Sequence, residues 1–456
     1  MKLIEESIAE FASFVWGFPL LVLLIGGGIY LLIISRFLPF RYFGHAIQVL
    51  RGKYDDPNDP GQISHFQALT TALSATVGMG NVSGVAVAIA VGGPGAIFWM
   101  WVSAVVGMST KFFTSSLAIM FRGEDTNGET QGGPMYFITE GLGKKWKPLA
   151  IFFSACAMIG ALPIFNVNQL TQAVNDILLK PNGIEVTNYT NFGIGIFLVI
   201  ITSFVILGGL KRISKVTESL VPTMVLFYFI LVVIILIVHI DVVPKYFLMI
   251  FTDAFSANFI KEDSVFGGVL GALIILGVRR GAFSNEAGVG TAPMAHGAAK
   301  TNEPVREGLV AMLGPFIDTI IVCTLTALAI LVTDVWQTTD SNGVSLTATA
   351  FANAMPGVGK YLLMICVAIF SISSLFSYSY YGTKSLSFLA GANNKHLYNY
   401  LFIGSIILGA TASLDTIINV IDSAFALMAI PTMLATIILS PKVMKEAKRY
   451  IERLKN

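Results

Sequence analysis

Long apolar runs constrain this sequence more than any other feature. Runs long enough to form membrane-spanning helices recur along all 456 residues, with short polar connections between them. An α-helix needs about 20 consecutive apolar residues to cross the hydrocarbon core of a bilayer. Charged residues make up 12% of the chain, against about 25% in a typical soluble domain. The sequence therefore predicts an all-α polytopic membrane protein, because helices satisfy their own backbone hydrogen bonds in lipid.

The apolar runs predict eleven transmembrane helices. The runs are 14–35, 66–91, 96–121, 149–179, 193–207, 220–238, 266–295, 308–333, 361–389, 397–412 and 416–439. Lysine and arginine test this count, because cytoplasmic loops are enriched in both residues. With eleven spans, most of the 29 Lys and Arg residues fall on one side of the membrane and five fall on the other. This bias predicts an N-terminus outside the cell and a cytoplasmic C-terminus.

The predicted organisation has four parts. Residues 1–60 form an additional N-terminal transmembrane helix with its cytoplasmic connector, and 61–240 form a first repeat of five helices. Residues 241–440 contain an outer interfacial segment and a second repeat of five helices, and 441–456 are a basic cytoplasmic tail. Because five is an odd number, the second repeat must cross the membrane in the opposite sense. Such inverted repeats are typical of secondary transporters.

The leading span of each predicted repeat carries glycines and polar residues at its middle. In the first, Gly78 and Gly80 precede Asn81-Val82-Ser83-Gly84-Val85, and the second echoes it with Asn285-Glu286-Ala287-Gly288-Val289. Glycine weakens a helix because it also favours extended and left-handed backbone. We therefore predict two discontinuous helices with a binding site between them near the bilayer midplane. Free N–H groups at such breaks hold anions and free carbonyls hold cations; tight helix packing is the alternative role for the glycines.

Charged residues at membrane depth are costly, so they usually line cavities or form ion pairs. Arg279, Arg280 and Glu286 lie within one apolar run, and Asp318 lies in the middle of another. We expect the arginines to pair with Glu286 or with Asp318. The role of Glu286 stays open between a substrate ligand, a proton carrier and a structural partner.

Amides and hydroxyls at membrane depth supply further candidates. Asn166 and Gln169 share a helix face, and Gln169 either contacts a polar solute or joins helices. The segment 370–382 is rich in hydroxyl groups, whose oxygens suit a hard cation such as Na+. Back-bonding of these hydroxyls to their own helix is the alternative.

The sequence contains no pattern typical of catalysis. It has no nucleophile–base pair, no phosphate loop after a strand and no His/Cys metal spacing. The three cysteines lie inside apolar runs, which predicts buried and reduced thiols. We therefore expect a protein that is not an enzyme, has no catalytic residues and binds no nucleic acid. We expect the lipid bilayer to surround the protein, and the sequence does not imply an oligomer.

Three motifs resemble those of the alanine or glycine:cation symporter family. They are "GMGNVSGVAVAIAVGGPGAIFWMW", "GAFSNEAGVGTAPMAHGAA" and "TQGGPMYFI", and the resemblance covers nearly the whole chain. Membership implies sodium- or proton-driven uptake of a small neutral amino acid across a prokaryotic plasma membrane. It also implies the leucine-transporter-like fold of two inverted five-helix repeats, here with one additional helix at the N-terminus.

The resemblance also implies a substrate site at the two breaks. The pattern Val77-Gly78-Met79-Gly80-Asn81 is similar to one in sodium-coupled relatives, where amides at the positions of Met79 and Gly80 meet the substrate carboxylate. The carbonyls of Phe283 and Ser284 would then lie near the substrate amine, with the Phe283 ring against the substrate. The expected substrate-binding residues are Thr76, Met79, Gly80, Asn81, Gln169, Phe283, Ser284 and Glu286.

Sodium sites are implied in the same way. The carbonyls of Ser74, Val77 and Phe370 would bind one Na+ together with the hydroxyls of Ser373 and Ser374. A second Na+ would lie at Asn81 and the Thr76 carbonyl. Glu286 departs from the relatives, which have a small hydroxyl residue there, so the number of coupling ions stays open.

These observations predict a secondary active symporter. An inward Na+ gradient would drive the uptake of alanine or glycine by alternating access. One rival is a proton-coupled carrier of the same fold with Glu286 as its proton site. The other is a non-transporting membrane receptor or a channel.

Overall fold

The apolar runs fold into helices, as their length and composition predict. The structure is a computed structural model that describes residues 2–256, 268–339, 341–411 and 415–455. Before residue 240 the helices are Lys2–Val15, Phe18–Leu21, Val22–Gly26, Gly27–Ile34, Leu38–Arg41, Phe43–Leu50, His65–Thr76, Gly80–Gly84, Val85–Gly92, Gly95–Met120, Pro134–Tyr136, Phe137–Leu142, Lys144–Trp146, Lys147–Gly160, Ile164–Val174, Asn175–Leu179, Lys180–Asn182, Asn188–Ile206 and Gly209–Val238. After it they are Val243–Ser256, Gly268–Asn285, Ala292–His296, Pro304–Ala311, Leu313–Pro315, Phe316–Cys323, Thr324–Val332, Val335–Thr338, Gly343–Ala354, Gly359–Ala390, Ala392–Asn394, Lys395–Thr411, Asp415–Leu427 and Ala429–Lys455.

A short hairpin interrupts the helices. Its strands, Gly123–Glu124 and Thr130–Gln131, pair antiparallel with Gly123 opposite Gln131. The hairpin follows the long helix Gly95–Met120, whose last residues lead directly into it. A separate parallel bridge joins Ile63 and Ala299, which are far apart in the sequence.

The described residues contain eight helices that are long and apolar enough to cross a membrane, or nine if one bent pair is a single span. The eight are Glu6–Ile34, Gly95–Met120, Lys144–Asn182, Asn188–Ile206, Gly209–Val238, Pro304–Val332, Gly359–Ala390 and Asn419–Lys455, and the bent pair is His65–Thr76 with Gly80–Gly92. The two remaining predicted spans contain helices, Gly268–Asn285 and Lys395–Thr411. Eleven crossings and the inverted repeat stay predictions.

Two of the described segments are broken at the places where the sequence predicts breaks. The first broken segment consists of His65–Thr76 and Gly80–Gly92, which are bent by 53° relative to each other. The second broken segment consists of Gly268–Asn285 and Ala292–His296. Between its halves, Glu286, Gly288 and Gly290 have φ angles of 53°, 88° and 108°. Left-handed backbone cannot continue a right-handed helix, so this segment must change direction.

The helix Gly95–Met120 forms the centre of the packing. In its most apolar window 72% of the residues are buried, against 28% in the N-terminal span Glu6–Ile34. It packs against the second broken segment and the helix Pro304–Ala311. A Cβ built on Gly107 would lie 2.9 Å from Ala287 Cβ, so glycine permits this close approach. The N-terminal span instead turns large apolar side chains outward, as a lipid-facing helix does.

The predicted outer segment after residue 241 contains the helix Val243–Ser256, and residues 257–267 lie outside the described residues. Asp253 fixes this helix to the start of Gly95–Met120, because its Oδ2 accepts a hydrogen bond of 2.8 Å from Gly95 N. Trp99 Nε1 donates to the Ala254 carbonyl at 3.0 Å. The described part of the segment is therefore packed against the core.

The predicted basic tail is part of a helix. Ala429–Lys455 continues through Pro441 to the end of the described residues. Arg449 Nη2 donates to Glu303 Oε2 at 2.6 Å, and Arg306 Nε donates to Tyr450 Oη at 3.3 Å. These bonds attach the tail to the start of the helix Pro304–Ala311.

Close packing at Gly382 gives a test of the fold. A Cβ built on Gly382 would overlap the ring of Tyr398, and overpacking of this kind typically costs about 1–3 kcal/mol. We expect Gly382→Ala to lower the apparent melting temperature of the detergent-purified protein by several degrees.

Gly404 provides the matched control, because it is also a helical glycine and no atom lies within 4 Å of its built Cβ. Alanine is about 1 kcal/mol more favourable than glycine inside a helix, so Gly404→Ala should leave the melting temperature unchanged or raise it. Equal melting temperatures for Gly382→Ala and the unmodified protein would contradict the packing described here.

Candidate functional site

A cavity of about 40 Å³ lies between the two broken segments. At about 10–15 Å³ per water molecule, it has room for roughly three waters. That is the scale of a solute with few non-hydrogen atoms. The cavity is lined by Ala75, Thr76, Gly78, Met79, Gly80, Gly160, Leu162, Phe165, Asn166, Phe283, Glu286, Tyr378, Ile421, Asp422 and Phe425.

The break in the first segment leaves a helical carbonyl without its usual donor. The last regular bond of His65–Thr76 runs from Val77 N to Leu73 O at 2.7 Å. Gly78 N would next bond the Ser74 carbonyl, but it donates to Asn81 Oδ1 at 2.9 Å. The carbonyl end of this half-helix therefore offers oxygen atoms beside the cavity, where a helix carries partial negative charge.

Asn81 joins the first break to the rest of the site. Its side chain is fully buried. Besides accepting from Gly78, it donates through Nδ2 to the Asp318 carbonyl at 2.8 Å and to Ser284 Oγ at 3.1 Å. Ser284 belongs to the second broken segment. One amide side chain thus connects both breaks and the helix that carries Asp318.

The break in the second segment is centred on Glu286. The Glu286 carboxylate accepts from Tyr378 Oη at 2.6 Å and from Thr291 Oγ1 at 2.5 Å. Asn285 Oδ1 accepts from Ala287 N at 3.0 Å, so an asparagine side chain satisfies a backbone N–H at this break too. A positive φ costs a non-glycine residue about 1–2 kcal/mol. Glu286 therefore occupies a strained position on the cavity wall, as residues at functional sites often do.

Aromatic rings close one side of the cavity. The Phe283 ring has its centroid 5.9 Å from that of Phe165, 6.3 Å from that of Phe425 and 6.0 Å from that of Trp16. Gly80 lies across from it, since a Cβ built there would be 3.6 Å from Phe283 Cδ1. A solute with a large side chain would have to displace these packed rings.

The expected sodium ligands meet at one helix interface. Ser74, Val77, Phe370, Ser373 and Ser374 are all buried, at the end of His65–Thr76 and the middle of Gly359–Ala390. Both serine hydroxyls donate to the Phe370 carbonyl, at 2.9 and 3.0 Å. A hydroxyl that donates its hydrogen still has lone pairs for a cation. The residues therefore fit a hard cation. The hydroxyls also bond to carbonyls of their own helix, which was the alternative role.

A second group of buried oxygen atoms lies on the other side of the break. The Thr76 hydroxyl faces the carboxylate of Asp318, and neither Thr76 Oγ1 nor Asp318 Oδ2 has a hydrogen bond of normal geometry among the described residues. The carboxylates of Asp318 and Glu286 act electrostatically on the buried ammonium group of Lys111. The sequence pattern does not predict this partner for the two acids.

The two arginines of the second broken segment lie within electrostatic range of Asp422. Its carboxyl group acts electrostatically on both Arg279 and Arg280. Arg279 also lies over the Trp16 ring, 5.8 Å from the centroid. The sequence predicts Glu286 or Asp318 as the partner of the arginines. Asp422, which lines the cavity, is an acidic neighbour of the arginines that the sequence did not predict.

The structure brings most of the expected substrate-binding residues together. Thr76, Met79, Gly80, Phe283 and Glu286 line the cavity. Asn81 and Ser284 lie directly behind it, bonded to each other. Gln169 is not among the lining residues, whereas Asn166, one helical turn earlier, is. Tyr378, Asp422 and Phe425 were missed by the sequence analysis, although Tyr378 lies in the hydroxyl-rich segment that it singled out.

Similarity to known proteins covers the whole chain. The model of the sodium:alanine symporter family matches residues 1–456. The sodium/alanine symporter AgcS of Methanococcus maripaludis is 42% identical over 454 residues, which are 97% of this chain and 96% of AgcS. YrbD of Bacillus subtilis, by its name a candidate sodium/proton-dependent alanine carrier protein, is 34% identical over 98% of this chain and 92% of its own length.

A solved structure supports the fold. The crystal structure of MhsT in complex with L-phenylalanine is similar with a TM-score of 0.59 at 12% identity, and the match covers 83% of this chain and 89% of MhsT. At this identity the similarity shows the fold alone, and that fold is leucine-transporter-like, as predicted. The similar named proteins are transporters rather than enzymes. Because the family model matches residues 1–456, which is the entire chain, the chain belongs to the sodium:alanine symporter family.

Proposed function

We propose that this protein takes up a small neutral amino acid, alanine or glycine, together with Na+ by alternating access. The observation that carries this proposal is the convergence of both broken segments on one small cavity. A zwitterion needs partial charges of both signs, and the ends of interrupted helices supply them without a fixed net charge.

The substrate would bind with each of its charged groups at a helix end of opposite sign. Its carboxylate would meet the amides of Met79 and Gly80, where the second half of the first broken segment starts. Its ammonium group would lie near the carbonyls of Phe283 and Ser284, where the long half of the second broken segment ends. This arrangement follows the preference of helix N-termini for anions and of C-termini for cations.

The remaining expected residues would shape the site around these anchors. Thr76 and Glu286 would contact the substrate from the cavity wall, and Asn81 would hold the two breaks in register. Gln169 would act from behind the wall that Asn166 lines. The packed rings around Phe283 would restrict the substrate side chain to a hydrogen or a methyl group.

Sodium would bind between the broken and the continuous helix. The carbonyls of Ser74, Val77 and Phe370 and the hydroxyls of Ser373 and Ser374 would be its ligands. Bound Na+ would stabilise the break that also holds the substrate carboxylate, so each would favour the binding of the other. Such coupling typically amounts to about 1–3 kcal/mol. A second Na+ at Asn81 and the Thr76 carbonyl would have the buried carboxylate of Asp318 as a neighbour.

Proton coupling is the second candidate, and one observation favours it. Glu286 is a buried carboxyl group on the cavity wall, and a proton there could replace a coupling ion.

For either coupling ion, we infer a multi-pass protein of a prokaryotic plasma membrane. The distribution of Lys and Arg supports an N-terminus outside and a C-terminus in the cytoplasm.

Replacement of Na+ by choline separates the two candidates. At a fixed proton gradient, concentrative alanine uptake into membrane vesicles should fall about tenfold or more, within the usual 5–150-fold range of coupling. Uptake that is unchanged in choline but abolished by collapse of the proton gradient would establish the proton-coupled carrier. Flux that does not saturate would establish a channel.

The hydroxyl pair tests the sodium site. Ser373→Ala combined with Ser374→Ala should raise the half-saturating Na+ concentration for alanine uptake about tenfold or more, since each 1.4 kcal/mol of lost ion affinity is a factor of ten. Ser379→Ala is the control, because Ser379 makes the same kind of bond on the same helix, to the Phe376 carbonyl at 2.7 Å. An unchanged Na+ dependence in the double variant would remove Ser373 and Ser374 from the site.

Gly80 tests the substrate anchor. A methyl group at this position makes only ordinary contact with Phe283 and Ser284, so Gly80→Ala should keep most of the alanine affinity. Gly80→Val adds two methyl groups that must enter the cavity, and we expect an affinity loss of about tenfold or more. Alanine binding to the purified variants is the measurement. Equal affinities for Gly80→Val and the unmodified protein would refute the anchor.

A further inference from the structure

A buried carboxylate connects the ends of the two broken segments on one face of the molecule. His65 is the first residue of the first broken segment, and His296 is the last helical residue of the second. The Glu307 carboxylate bonds both: Oε2 to His65 Nδ1, and Oε1 to His296 Nδ1 at 2.5 Å. Each of the three side chains is at most 1% exposed. None of them belongs to the site described above.

Backbone bonds join the same two ends. Gln62 N donates to the Ala298 carbonyl at 2.8 Å, and Lys300 N donates to the Ile63 carbonyl at 2.7 Å. The guanidinium group of Arg122 covers this junction by donating to four carbonyls, those of Pro60, Gly297, Ala299 and Thr301. The chain preceding the first broken segment and the chain following the second are therefore held together at several points.

The position of this junction determines what it can do. The half-helix His65–Thr76 runs from Glu307 to the cavity, and Ala292–His296 runs from the second break to Glu307. Both half-helices thus lie between the cavity and the face that the charge distribution assigns to the cytoplasm. Separation of these two half-helices would open the cavity toward that face. Separation must break the bonds to Glu307.

Burial makes such a junction switch between two states. A buried carboxylate is very costly unless its oxygens are bonded. With both histidines in place, each Nδ1–H satisfies one oxygen, and with the half-helices apart, water can do so. An intermediate that loses one histidine without admitting water leaves an unsatisfied charge. The bonds therefore favour a fully closed or a fully open arrangement.

The charged groups around the junction are few. An Asp55 carboxylate oxygen lies 3.9 Å from His65 Nε2, and Arg306 also acts electrostatically on His65. Arg122 acts on Glu307. The Nε2 atoms of both histidines have no hydrogen bond among the described residues. Among the described residues, the two histidines therefore contribute to the junction through their Nδ1 bonds to Glu307, in addition to the backbone bonds and Arg122.

We propose that Glu307, His65 and His296 form the cytoplasmic latch of the transport cycle, which keeps the cavity closed toward that face until the half-helices separate. This inference rests on the proposed transport function. The three residues act through the half-helices and do not touch the substrate. They are positioning residues for the closed state.

Access of a reagent to the cavity measures the latch. Ala75 lines the cavity and lies on the first half-helix, so Ala75→Cys serves as the reporter. A membrane-impermeant maleimide is added to the cytoplasmic face of inside-out vesicles, and the parent without the reporter gives the background from the three native cysteines. With the reporter, Glu307→Gln should increase the labelling rate about tenfold, the scale for losing one hydrogen bond to a charged group.

Two matched comparisons separate the latch from a general loss of charge or fold. Glu303→Gln removes a carboxylate one helical turn away that bonds Arg449 and Arg453 instead, and it should leave the labelling rate unchanged. His296→Leu removes one donor and should label fast. His296→Asn should label slowly, because Asn Nδ2 lies as far along the side chain as His Nδ1 and can donate in its place. If Glu307→Gln does not fold, the comparison of His296→Leu with His296→Asn still tests the latch.

The outcomes distinguish the latch from the function on which it rests. Alanine with Na+ should protect the reporter from labelling, and absence of protection would contradict the proposed function. Protection by alanine and Na+, combined with equal labelling rates in Glu307→Gln, His296→Leu and the reporter alone, would overturn the latch and leave the function intact. Fast labelling in Glu303→Gln as well would also overturn it.

Discussion

Backbone groups that leave a helix inside a membrane must find other partners, because lipid offers none. The rest of this structure depends on how that requirement is met at two places. At the first break Gly78 N donates a hydrogen bond to Asn81 Oδ1, and at the second break Ala287 N donates one to Asn285 Oδ1. The side chain of Asn81 also bonds Ser284, so the two breaks are fixed next to each other. The cavity exists because these interrupted helices meet.

The same requirement explains the polarity of the molecule around the cavity. Two buried carboxylates are each bonded by two side chains: Glu286 by Tyr378 and Thr291, and Glu307 by two histidines. The first group lies on the cavity wall, and the second lies at the far ends of the same broken segments. In the proposed transport cycle, water would satisfy both groups when the helices separate. Polar contacts of this kind favour separation of the helices more than an entirely apolar interface would, because water can replace the lost hydrogen bonds.

Much of the fold and part of the site could be predicted from the sequence. Apolar length and the glycines beside Asn81 and Asn285 located both breaks, because these signals are local to a few residues. Helix periodicity predicted a shared face for Asn166 and Gln169 and left Gln169 open between a solute contact and a helix-joining role, and the structure places Asn166 on the cavity wall. Periodicity gives the face that two residues share but not which one reaches a cavity. Asp422 was missed for a related reason, since nothing near it in the sequence marks it as a neighbour of Arg279.

The sequence by itself determined that this chain is a helical membrane protein with two interrupted helices, because apolar length and glycine content act through local backbone physics. Its motifs also determined the family. The tertiary structure decided which side chains meet: Asn81 with Ser284, Glu286 with Tyr378, and Glu307 with His65 and His296. These pairs join residues far apart in the chain, so their proximity depends on how the helices pack, and packing is not encoded in any single segment.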